Sequence, residues 1–108
     1  MWLIRDGEVL ATAEVAVDAH ARRRGLLGRD AIDGVLVLRP CRHLHTFRMR
    51  FAIDVAFCDV SGLVLRTCSL PPGRVSPVVW RAAFAIEAGA GAFERWRLTS
   101  GDRVELRG

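Results

Sequence analysis

His45-Thr46-Phe47-Arg48-Met49-Arg50-Phe51-Ala52-Ile53-Asp54-Val55-Ala56-Phe57-Cys58-Asp59 sets an apolar side chain at every second position, from Phe47 through Met49, Phe51, Ile53 and Val55 to Phe57. Successive side chains of a strand point to opposite faces, whereas a helix repeats its face every three or four residues. Six apolar residues in alternation predict a half-buried strand pair over residues 44–59 and argue against a helix. Asp54 interrupts the run from the other face, which it shares with Ala52, Ala56 and Cys58.

The flanking segments carry the same signal. Ser61-Gly62 turns the chain into Leu63-Val64-Leu65-Arg66-Thr67-Cys68, a hairpin by spacing and composition. Upstream, Val35-Leu36-Val37-Leu38 follows the Asp33-Gly34 turn as an unbroken apolar run of strand length, the pattern of a strand buried on both faces. Further out, Trp2-Leu3-Ile4-Arg5 and Glu8-Val9-Leu10-Ala11 flank Asp6-Gly7, a two-residue hairpin turn, and the second strand continues through Val17. Ala82 to Glu87 and Arg103 to Leu106 complete about seven strands.

Helical content is small. Asp18 is a suitable N-cap for a short helix over residues 19–27, limited by Gly25 and Gly28, and Ala92 to Trp96 suits one further turn. The expected fold is mainly β, a β-sandwich or jelly-roll-like fold or a partly closed barrel, with one short helix near residues 19–27. Its 108 residues suit a single domain spanning 1–108, and no linker or repeat divides them.

Composition narrows the function classes. Residues 1–6 lack the basic and apolar regions of a secretory signal, and charges interrupt every apolar run short of a membrane span, so a cytoplasmic protein with no membrane contact is expected. Cys41, Cys58 and Cys68 are odd in number without C-x-x-C spacing, which argues against a disulfide framework. The net charge is +4, with all sixteen basic residues Arg, but twelve acidic residues are interspersed among them. That mixture disfavours a nucleic-acid partner. No nucleotide-binding or nucleophile-elbow motif is present, and no cofactor is implied.

Several blocks together resemble one family. Arg22-x-Arg24-Gly25-Leu26-Leu27-Gly28-Arg29, Gly34-Val35-Leu36, His45-Thr46-Phe47-x-Met49-x-Phe51-x-Ile53-Asp54-Val55-x-Phe57, Glu87-x-Gly89-x-Gly91 and Gly101-Asp102-x-Val104 stand in the order of the domain-of-unknown-function family DUF192, small bacterial and archaeal domains. The chain departs from that family's frequent pattern at Leu27, Arg48 and Ala52. The resemblance implies a compact, mainly β fold with a short helix before the Arg-Gly-Leu block. It implies no particular activity.

Candidate chemistry falls on few residues. Cys41-x-His43-x-His45 would share one face if extended and could ligate zinc or copper, with Asp54 or Cys58 completing the set; a loop after Pro40 would scatter them. Asp54 could act as general acid or base with His45, or be held by backbone donors or an arginine. Glu87 invites the same question, and a buried pair of Arg24 or Arg29 with Glu87 or Asp54 is expected. Arg22-Arg23-Arg24 could meet a phosphate, and Trp80-Arg81 or Arg95-Trp96-Arg97 could stack on bases or sugars. The leading expectation is a non-enzymatic domain that binds a small ligand or protein partner. Arg24, Arg29, His43, His45, Asp54 and Glu87 are its candidate binding residues, beside the loop 71–77. An Asp54–His45 enzyme, with or without a metal, and an arginine-rich nucleic-acid surface are the alternatives.

Overall fold

The computed structural model describes residues 1–108 apart from the side chains of Ala19 and Arg23. Seven strands and two short helices follow one another as β1 (Trp2–Arg5), β2 (Glu8–Ala16), α1 (Ala19–Arg24), β3 (Val35–Leu38), β4 (Ile53–Cys58), β5 (Val64–Leu70), β6 (Phe84–Gly89), α2 (Ala92–Trp96) and β7 (Val104–Arg107). The strands form one sheet in the order β5-β4-β6-β3-β2-β1-β7, giving a mostly β, sandwich-like fold. β2 and β3 are parallel, joined by a crossover that contains α1; the other neighbouring strands are antiparallel.

The sheet curls without closing into a barrel. Its edges meet at one end, where Leu63 bridges Arg103. There Val64 N–H donates to the Asp102 carbonyl and Val104 N–H to the Gly62 carbonyl. Gly62 makes this contact possible: its φ is 86°, and a Cβ at that position would overlap the Val104 carbonyl oxygen.

β3, β4 and all of β6 but its last residue are buried on both faces. One core, on the side of Val37, Ala56 and Ile86, is shut by α2 and the outer strands; the other, on the side of Leu36, Val55 and Phe57, is covered by Leu26, Leu44 and Met49 from the two long connections. The parity expected for Asp54 holds, since Ala56 and Cys58 face the first core while Ile53, Val55 and Phe57 face the second. The length of the alternating strand does not. Only residues 53–58 of the expected pair over 44–59 form strand, Arg48 has a φ of 64°, and Phe47 is exposed. Upstream of β4 the alternation belongs to an irregular segment in which Met49 reaches the core and Phe47 does not.

The first helix is also shorter than the expected 19–27. Asp18 caps it as read, accepting from Ala21 N–H at 2.7 Å, but Gly25 ends it after six residues. α2 has an unusual N-terminus. Gly91 is left-handed and has no side chain to cap with, so the capping acceptor comes from β4: Asp54 accepts from Gly91 N–H at 3.0 Å and Phe93 N–H at 3.1 Å. Its other oxygen accepts from the Ser69 hydroxyl at 2.6 Å. A carboxylate that is 4% exposed thereby has three donors, the arrangement that makes burying such a group tolerable.

Two stability predictions follow from this geometry. Asp54→Ala strands two backbone donors and a hydroxyl, at a cost of roughly 3 kcal/mol, or a fall in Tm of about 10 °C or more in thermal melts. A melting point within 2 °C of the parent would contradict this capping role. Gly62→Ala should cost roughly 2 kcal/mol or more, whereas Gly101→Ala, with the same backbone sign but open space around it, should cost about 1 kcal/mol. Equal losses at the two glycines would show that the edge contact is unimportant.

Candidate functional site

The segment after β3 carries His43 and His45, and the loop 71–77 pins it in place. Thr46, fully buried, donates its hydroxyl to the Pro71 carbonyl at 2.7 Å and accepts from Arg74 N–H at 2.9 Å. Ser76 accepts from Leu44 N–H at 2.8 Å, and His45 bridges Val75. His45 and His43 are thus held on a two-sided ribbon rather than on a free loop. The His45 ring stacks on Phe47 at 4.7 Å, and its Nδ1 accepts from Phe47 N–H at 3.3 Å. Neutral His45 therefore carries its proton on Nε2.

Between this ribbon and the Arg22–Leu27 stretch lies a cavity of about 550 Å³. Its apolar wall is Leu26, Leu38, Leu44 and Met49, and exposed Arg24, His43 and His45 stand at the rim. Glu87 reaches it from the middle of the sheet. Its strand partners are Leu36 and Val55, so both flanking side chains on its face are apolar. The residue is 3% exposed, and its carboxyl makes no hydrogen bond among the described residues. Burial pushes its pKa up to about 7, only partly opposed by the charge of Arg29. Gly25 roofs the carboxyl: a Cβ there would stand 3.9 Å from Oε1.

Cys41 lines the same cavity with its thiol donating to the His43 carbonyl at 3.2 Å. Burial, and then the charge of Glu87, push its pKa up to about 11, so the thiol stays protonated. The Cys41, His43, His45 set that could ligate a metal only if extended is not assembled, because the segment bends instead. Among the described residues no three His, Cys, Asp or Glu side chains gather closely enough to hold a metal ion.

Other candidates are dispersed. Asp54 does not share a site with His45: it borders a separate shallow depression with Ser69 and Gly91, on the opposite face of the sheet from Glu87. The acid–base pair of the alternative enzyme reading is therefore not formed. Nor is the expected buried pair of Arg24 or Arg29 with Glu87 or Asp54, since Arg29 bonds Glu14 at 3.1 Å on the surface, and among the described residues neither Glu87 nor Asp54 has an arginine partner. Arg22 spends its guanidinium on the Val17 and Arg39 carbonyls. Trp96 packs on the first core beside Phe93 at 6.0 Å, while Trp80 is exposed next to His43 and Arg42. Of the binding candidates, Arg24, His43, His45 and Glu87 converge on one cavity, and Asp54 and Arg29 stand outside it. The apolar wall was not singled out by sequence, since Leu26, Leu44 and Met49 read as ordinary core.

Among the described residues no helix is long and apolar enough to cross a membrane. Two solved structures share the fold. A protein from Sinorhizobium meliloti 1021, described as a "putative transcription regulator", is 24% identical and superposes with a TM-score of 0.80 over 96% of this chain and 89% of its own. A protein of unknown function from Novosphingobium aromaticivorans DSM 12444 is 17% identical, with a TM-score of 0.78 over 87% of this chain and 74% of its own. No curated protein matches. A family model described as "Uncharacterized ACR" spans residues 2–106, and by that match the chain belongs to the DUF192 family.

Proposed function

We propose that this chain is a single non-enzymatic domain that binds a small organic ligand in the cavity between the Arg22–Leu27 stretch and the His43–His45 ribbon. One observation carries the reading. A cavity of about 550 Å³ has a buried carboxyl, without a hydrogen-bond partner among the described residues, at its inner end. Apolar walls with a few convergent polar groups are the usual makeup of a small-molecule site. The sheet does not need the Glu87 charge: its neighbours Leu36 and Val55 are apolar, and an ionised group there weakens the fold. Three free cysteines agree with a cytoplasmic setting.

The direct test is a fragment screen read by amide NMR shifts of the labelled protein. Binders should move the resonances of Leu26, Leu44, Met49 and His45 together. Shifts confined to the Trp80 surface, or none from a library of several hundred fragments, would sink the reading.

The titration of Glu87 has a consequence for stability. Below its ordinary pKa of 4.5 both folded and unfolded chains hold the proton, and nothing is lost. Between 4.5 and about 7 the unfolded chain releases it first, so stability falls as pH rises. Above that range the full penalty, about 3 kcal/mol, is present. Urea unfolding of the parent and Glu87→Gln should therefore diverge from pH 5 to pH 8, with the variant gaining relative to the parent. Parallel curves would mean that the carboxyl is paired or solvated.

A further inference from the structure

We infer that the cavity takes a small ω-amino acid: an apolar chain with its amine seated inside on the Glu87 carboxyl and its acid group outside among Arg24, His43 and His45. This rests on the cavity being a ligand site. Ionised, the inner end is a carboxylate to which no described residue donates and which opens onto the cavity, so the ligand group that meets it in that form donates; an ammonium supplies both donors and the opposite charge. The middle is Leu26, Leu38, Leu44 and Met49, which match methylene groups and nothing polar.

The rim has the opposite sign. Arg24 is exposed and its guanidinium makes no hydrogen bond among the described residues, while Arg22 adds charge although its Nη1 is taken up by the Val17 and Arg39 carbonyls. A simple cation is repelled at this mouth. A simple anion satisfies the rim but leaves the Glu87 carboxyl unpaired and now facing a second negative charge. Only a ligand with both groups, amine inward, meets both ends. The two ends are also apart, one buried at the sheet and the other exposed, with an apolar wall between. The apolar lining suits a ligand whose two charged groups are separated by methylenes, whereas an α-amino acid carries both charges on one carbon.

The probes are 6-aminohexanoate, hexanoate and hexylamine, titrated by calorimetry and amide NMR at pH 7.5. 6-Aminohexanoate should bind about tenfold or more tighter than either single-ended probe. Its affinity should rise from pH 5.5 to pH 8 as Glu87 loses its proton. Glu87→Gln should erase the advantage over hexanoate. Arg24→Ala, an exposed change that leaves folding intact, should weaken 6-aminohexanoate and hexanoate alike and spare hexylamine. Hexanoate binding as tightly as 6-aminohexanoate, and weakening as pH rises, would overturn the inference and mark the cavity as a site for simple acids. Failure of all three probes, when screened fragments still shift the cavity residues, would also overturn it while the ligand-site reading stands. If fragments and probes alike leave those residues unmoved, both fall.

Discussion

Burial of the central strands on both faces is the constraint from which the rest follows. β3, β6 and β4 lie in the middle of the sheet with cores above and below, so any polar side chain on them has no route to bulk water. It must find partners within the protein or open onto a cavity. Two carboxylates sit on these strands, and each takes a different one of those solutions.

Asp54 and Glu87 stand one pair apart across the β4–β6 ladder, since Asp54 pairs with Ala88 and Val55 with Glu87. That offset of one residue sends them to opposite faces. On the first face the chain doubles back through Gly89–Gly91 and brings the start of α2 to Asp54, whose oxygens take up two backbone donors and a hydroxyl. On the second face the row Glu14, Leu36, Glu87, Val55 runs across the sheet. The two inner neighbours are apolar, and Arg29 spends its ion pair on the exposed Glu14. Nothing on that row donates to Glu87, and the space over it is the cavity beneath Gly25.

The strands were legible because their signals are local. Val35–Leu38 reads as doubly buried from its unbroken apolar run, Asp6-Gly7 from its turn chemistry, and the face of Asp54 from parity alone. The alternation misled over residues 47–52, where left-handed Arg48 and the pairing of residues 44–46 with the loop 73–76 override a strand-like pattern. Local periodicity carries no information about such a distant partner. The site was half legible for the same reason. Chemistry-bearing residues announce themselves, so Arg24, His43, His45 and Glu87 could be named. Which of them meet depends on the face that each strand turns to its neighbours, and on Leu26 and Met49, which look like any core residue.

The contrast between the two carboxylates also decides what a mutation can mean. Removing Asp54 releases the N-terminus of α2 and a strand β5 hydroxyl at once, so any loss of activity that follows would report on folding. Glu87 has no such duty. Its charge is unfavourable for the fold above neutral pH, and its neutral isostere fits the same volume. A change at position 87 that preserves or raises stability while altering binding therefore separates the ligand site from the scaffold, a separation that no substitution at Asp54 can provide.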